Sequence, residues 1–198
     1  MTAAAHDHRT LRLFVAIELG ESVLQALERV QAELRRHGLQ ALRWVRPEGV
    51  HLTLKFLGET PEHRLPAIKD ALARAVEGVS PHILCLDGLG TFGASRSPRV
   101  LWVGVAGQLE PLRRLQRQID AALAAIGFAP EDRPFSPHLT LARVRPETAR
   151  DLSGPISRAL NEVPAPMAEI PVREVSLMRS TLTSGGAVYD RLAAFPLG

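Results

Sequence analysis

The chain has 198 residues, a formal net charge of +3, 45% apolar and 23% charged residues, and one cysteine, Cys85. Those totals suit one compact domain or two small lobes, exclude an internal disulfide and point to a reducing cytosol. No apolar run reaches the roughly 18 residues of a membrane helix, and "MTAAAHDHRT" lacks the apolar stretch of a signal peptide. A cytoplasmic monomer with no membrane partner is expected.

Residues 1–10 read as a flexible tail, and the HxH pair His6 and His8 would lie within it. "RLFVAIEL" (12–19) is a strand: short, β-branched and aromatic, with Gly20 after it. A helix follows over about 21–37, with Val23, Leu27, Val30 and Leu34 on one face and Gly38 as its C-cap. The loop "RWVRP" leads into a strand beginning "HLTL" at 51. Thr60-Pro61 is expected to open the next helix, which turns Leu65, Ile68, Leu72, Val76 and Val79 inward. "HILCLDGLGTF" (82–92) supplies one or two strands, and Cys85 within it reads as a small buried hydrophobe.

The order then starts again. "RVLWVGV" (99–105) is a strand. A helix over about 109–126 buries Leu112, Leu115, Ile119, Leu123 and Ile126, and Gly127 ends it. The loop "APEDRPFSP" leads to a second "HLTL" at 138, 87 residues after the first. A helical stretch over 147–161 should be broken at Gly154-Pro155. Strands over 167–182 and 187–197 close the chain. Each half thus runs strand, helix, HLTL strand, helix, strands. The fold class is α+β: two pseudo-symmetric lobes in a single bilobal domain, each an antiparallel sheet with helices on its outer face, and a cleft between the sheets. The internal repeat spans roughly 11–97 and 98–198.

In a strand, alternate side chains share a face. His51, Thr53 and Lys55 should point one way and Leu52, Leu54 and Phe56 the other. His138, Thr140 and Ala142 should oppose Leu139 and Leu141. The leucines make core. The other face brings two imidazoles and two hydroxyls to the cleft. Imidazole titrates near neutrality, so one ring can carry a proton while its twin lacks one. The hydroxyls can donate to non-bridging phosphate oxygens as charge grows on them. Nothing in that scheme needs a metal or a cofactor.

His51-Leu52-Thr53-Leu54 and His138-Leu139-Thr140-Leu141 resemble the paired HxTx motifs of the two-histidine phosphoesterases. The phrases "HLTLKFLG" and "PHLTLARV", with "RLFVAIEL" and "VSLMRSTLTSGGAVYDRL", look like the branch called RNA 2′,3′-cyclic phosphodiesterase or 2′-5′ RNA ligase. That resemblance implies hydrolysis of a terminal RNA 2′,3′-cyclic phosphate to a 2′-phosphomonoester. His51 would be the proton donor to the leaving 3′-oxygen and His138 the acceptor that activates water. Ligation would be the reverse reaction. The near-symmetry of the halves leaves the two roles unassigned by sequence alone. The partners are RNA ends or nucleotides carrying a 2′,3′-cyclic phosphate. Cyclic phosphates of small nucleotides or ADP-ribose, or plain RNA binding, remain as alternatives.

The resemblance also implies that Arg143, matching the HxTxxR extension of the family's second motif, is a candidate phosphate clamp, although strict alternation turns it away from the histidines unless the strand bulges. Lys55 is either a cleft residue or a solvated lysine at the rim. Arg46 and Arg133 precede the histidines by five and could attract phosphates. Trp44 and Phe135 could stack a base or pack in the core. Ser136 could pair with His138 only outside any GxSxG elbow. His37, His63 and His82 lack metal-ligand spacing and read as surface residues.

Overall fold

The computed structural model describes residues 9–183 and 186–198, so His6 and His8 lie outside the described residues. In chain order the elements are β1 (Thr10–Ile17), α1 (Glu21–Leu34), β2 (Arg43–Trp44), β3 (Leu52–Pro61), α2 (Leu65–Val76), β4 (His82–Ala94), β5 (Ser97–Gly107), α3 (Leu109–Ala125), β6 (His138–Arg143), α4 (Ala149–Glu162), β7 (Glu169–Val172), β8 (Glu174–Thr183) and β9 (Gly186–Pro196). They build a four-stranded sheet, ordered β3-β1-β8-β9, and a five-stranded sheet, ordered β2-β6-β5-β4-β7. Every pairing is antiparallel.

Each sheet repeats one plan. An edge or near-edge HLTL strand pairs with the first strand of its own half, β3 with β1 and β6 with β5. The next strand comes from the other half: β8 joins β1, and β4 joins β5. Neither half closes its own sheet. A lobe is therefore not a sequence half, and the two halves cannot separate without breaking sheet hydrogen bonds.

The alternation in β1 shows how the layers form. Leu11, Leu13, Val15 and Ile17 are buried on one face, in a core that takes residues from both sheets and all four α-helices. Phe14 and Ala16 are buried on the opposite face, in a small separate cluster with Met178 and Tyr189. The motif leucines Leu52 and Leu139 are fully buried in the main core, each contributing about 2 kcal/mol by area removed from water.

Two local expectations are corrected. Thr60 does not cap α2: β3 runs through Pro61, a 3₁₀ turn spans Glu62–Arg64, and α2 starts at Leu65. The Thr60 hydroxyl is buried and bonds to the carbonyl of Gly58 at 3.2 Å. Gly154-Pro155 does not break α4, which runs unbroken from Ala149 to Glu162 with Pro155 inside it. The carbonyl this frees belongs to exposed Asp151, where water can serve it, and buried Ile156 and Ala159 hold the helix down. Helix α1 runs on into a turn over Arg35–Leu39, and Gly38 at φ +89° ends it in the left-handed conformation expected of a glycine C-cap.

Candidate active site

The two HLTL segments adopt the same local structure, including a feature that sequence alternation misses. Along β3, Thr53 pairs with Ala16 and Lys55 with Val15, so Leu54 is an extra residue, a bulge. Along β6, Thr140 pairs with Trp102 and Ala142 with Leu101, so Leu141 is the matching bulge. One extra residue reverses the phase of the residues that follow, in β3 as far as a second shift at Leu57. His51, Thr53, His138 and Thr140 keep the face opposite the buried leucines, as alternation requires. Beyond the bulges, Phe56 and Arg143 come round to that histidine face, and Lys55 and Ala142 turn to the core.

Phe56 is consequently 60% exposed, and its ring lies 6.0 Å from Phe14. Arg143 is exposed beyond Thr140. Both readings of Lys55, in the cleft or solvated at its rim, are overturned. Lys55 is buried, its Nζ bound to Asp120 of α3 and to the carbonyl of Ala129 at 2.5 Å. β3 and β6 also contact each other, which brings the two motif strands together where the sheets meet.

Both imidazoles are held in one way. His51 donates Nδ1–H to the carbonyl of Gly49 at 2.9 Å, and His138 donates Nδ1–H to the carbonyl of Ser136 at 2.7 Å. A carbonyl only accepts, so the bond fixes the tautomer in each neutral ring. Nε2 is then the nitrogen left to exchange a proton with a ligand. The surroundings differ. His51 stacks on Phe14 at 4.5 Å and meets the edge of Tyr189 at 4.9 Å. Gly49 lets the tyrosine close in: a Cβ there would sit 3.3 Å from its ring. Burial pushes the His51 pKa down to about 4, against the opposing pull of the Gly49 carbonyl and the Glu18 carboxylate. His51 is therefore neutral at pH 7 in the unliganded protein. Among the described residues His138 meets one aromatic ring, Phe92, edge-on at 4.7 Å.

A family model described as the 2′-5′ RNA ligase superfamily matches residues 20–183. The chain belongs to that superfamily. A Methanothermobacter thermautotrophicus protein named RNA 2′,3′-cyclic phosphodiesterase is 35% identical over 187 residues, covering 94% of this chain and 99% of that protein. Among solved structures, TT0787 of Thermus thermophilus superposes with a TM-score of 0.75 at 32% identity, over 94% of this chain and 98% of that one. E. coli LigT complexed with 3′-AMP gives a TM-score of 0.75 at 28% identity, over 96% and 99%. The bilobal α+β class expected from the repeat is the architecture of these superfamily structures.

The remaining candidates of this superfamily member scatter. Trp44 is not at the histidine face: its Nε1 donates to the carbonyl of Leu39 at 3.1 Å and Arg35 covers its ring at 4.4 Å. Phe135 packs against the main core. Arg46 precedes the 3₁₀ turn that leads to His51, and Arg133 lies in the loop before β6; both are exposed. His138 bonds the Ser136 carbonyl, and among the described residues no hydrogen bond joins it to a serine hydroxyl. His82 is buried rather than on the surface, with Nδ1 bonded to the carbonyl of Ser80 at 3.1 Å. His37 is half-buried and bonds the carbonyl of Glu33, while His63 is exposed. Cys85 is half-buried. No helix of the described residues is long and apolar enough to cross a membrane.

The aromatic rings that do flank the histidines are Phe14, Phe92 and Tyr189, with Trp102 beside Thr140. Trp102 lies over Gly90, where a Cβ would fall 2.4 Å from the indole. The sequence does carry a signal for Phe14 and Trp102: each is out of phase with the aliphatic residues on either side of it. Tyr189 has no such signal, because its partners lie far away in sequence.

Proposed function

We propose that this protein is a cytoplasmic, monomeric RNA 2′,3′-cyclic phosphodiesterase that works without a metal. The observation that carries the reading is the twinned tautomer lock: two Nδ1–carbonyl bonds of one design leave two Nε2 atoms for acid–base work. The names of the relatives supply the substrate class. Water attacks phosphorus and passes a proton to His138 Nε2. The P–O3′ bond breaks, and His51 Nε2–H protonates the departing O3′. The phosphate stays on O2′. Thr53 and Thr140 hydroxyls donate to the non-bridging oxygens in the transition state, and Arg143 balances their charge. In the reverse direction a 5′-hydroxyl takes the place of water, giving 2′-5′ ligation.

The donor role sets a condition on His51. Its ring is neutral before substrate arrives, so it must gain a proton as the anionic phosphate docks. A negative charge beside an imidazole raises its pKa and drives that uptake. Two measurements test the proposal. A cyclic-phosphate-ended RNA incubated in EDTA should be opened to the 2′-phosphate; loss of activity in EDTA, or a 3′-phosphate product, refutes it. Calorimetric binding of a cyclic-phosphate-ended RNA to the His138→Ala variant at pH 7, repeated in buffers of different ionisation heat, should show proton uptake, because His51 must charge as this substrate docks. Absence of uptake would overturn His51 as the donor.

A further inference from the structure

The bulge at Leu141 has a neighbour that neither histidine explains. Arg43 of β2 and Arg143 of β6 are direct cross-strand partners. Cross-strand partners share a face, and Arg143 is on the His138–Thr140 face because of the bulge. Arg43 is on that face too. Its chain neighbour Trp44 pairs with buried Ala142 and turns the other way. Both arginines are exposed, and among the described residues neither is joined to a carboxylate or to any other side chain.

Two like charges directly opposite each other destabilise a sheet. Here the repulsion stands at the edge of the site, and among the described residues no carboxylate lies within ion-pair distance of either guanidinium. An anionic ligand would relieve it. The charge count says which one. A cyclic phosphodiester carries one negative charge, and the proposed reaction already sets Arg143, two hydroxyls and an imidazole around it. A second guanidinium exceeds what that group needs. The geometry points to Arg43 as the binding residue for a second phosphate, the diester that joins the terminal nucleotide to the one before it. The substrate class is then an RNA chain, in preference to a cyclic mononucleotide. This rests on the proposed function for the location of the reacting phosphate.

The test is equilibrium binding, which needs no turnover. The probes are a dinucleotide ending in a 2′-phosphate and the matching nucleoside 2′-monophosphate. The wild type should prefer the dinucleotide, and Arg43→Gln should cut that preference, read as the ratio of the two Kd values, about tenfold. The salt dependence of dinucleotide binding should flatten by about 0.7 in the log–log slope, the value for one single-strand phosphate contact. Arg43→Lys should keep the slope. Arg43→Gln should also raise Tm in low salt, since it removes the repulsion; a purely structural arginine would lower it. A wild type without preference for the dinucleotide, or an Arg43→Gln protein that retains the preference, overturns the inference. If the wild type shows the preference and the variant loses it, while cyclic-ended RNA is not hydrolysed, the arginine pair stands and the hydrolytic reading falls.

Discussion

The two motif strands are built alike and surrounded differently. In each, a histidine bonds a carbonyl two residues back, a threonine follows on the same face, and a bulge at the second leucine flips the strand. Each bulge is held by a helix of the other half. Val23, Val30 and Leu34 of α1 match Leu112, Ile119 and Leu123 of α3, so Gln31 and Asp120 occupy one position in the repeat. Gln31 reaches the carbonyl of the bulge residue Leu141, and Asp120 binds Lys55, the residue after the bulge at Leu54. The parts that repeat make chemistry possible at two places. The parts that do not repeat give direction: His51 is enclosed by rings and Phe56 follows it, whereas His138 is more open and Arg143 follows it. On the proposed function, one end of the site is apolar and the other cationic, which would match the apolar base and anionic phosphate of a nucleotide.

The largest effect should come from removing either ring. His51→Ala and His138→Ala should each lower kcat by about 10²–10⁴, the range for one positioned proton transfer, with circular dichroism and Tm near wild type. If the rings act as a unit, the double variant should fall far short of the product of the two losses. Full activity in either single variant would show that the twinned histidines are packing only.

Next come the bulge anchors. Lys55 is buried, and Asp120 is its charge partner. Asp120→Ala should cost about 3–5 kcal/mol, because it leaves an ammonium in the core uncompensated. Lys55→Met should cost less, since the apolar stem remains and the Asp120 carboxylate left behind is partly exposed and still accepts from the Glu131 N–H at 3.2 Å. Urea denaturation at pH 7 measures both. Equal losses would mean that packing around the α3 helix, not charge, fixes the first bulge.

A smaller term is the pH dependence of stability that His51 brings. The folded pKa of His51, about 4, lies below its ordinary value of 6.5. Between those values the unfolded chain binds a proton that the folded protein refuses. The stability contribution is whole above pH 6.5 and is lost as pH falls towards 4, by up to about 3 kcal/mol. Denaturation midpoints at pH 8 and pH 4.5 should show the loss, and His51→Gln should flatten it. An unchanged slope in His51→Gln would place the acid sensitivity elsewhere.

The repeat makes the fold class legible. Short aliphatic runs and helix faces with regular spacing report burial, and burial is a local property of sequence. What stays hidden depends on partners. The strand exchange between halves shows only when β8 meets β1 and β4 meets β5. Pro155 reads as a breaker because propensity ignores the buried face that retains α4. At the site, His51, Thr53, His138 and Thr140 are readable from period-two alternation up to the bulge. Lys55, Phe56 and Arg143 are not, because a bulge is stabilised by a carbonyl's partner on a distant helix. Trp44 is the tryptophan nearest the first motif in sequence, while the indole beside Thr140 is Trp102, one strand over.

Gln31 gives the smallest and most discriminating test of the comparison. It is 1% exposed, with its amide donating to the carbonyl of Val45 at 2.9 Å and, more weakly, to that of Leu141 at 3.4 Å. Val45 in turn donates its own N–H to the Leu141 carbonyl at 2.9 Å, so the bulge keeps one bond without the glutamine. Gln31→Leu preserves bulk and removes the donor. It should cost about 1–2 kcal/mol, the penalty for leaving a largely buried carbonyl unpaired. It should also loosen the segment that carries Arg43 and Arg143 while leaving the Ser136 carbonyl on His138 intact. Binding should then weaken more than kcat falls. If instead kcat drops and affinity holds, the α1 helix is steering the imidazole, and the two copies are coupled more tightly than their separate anchors imply.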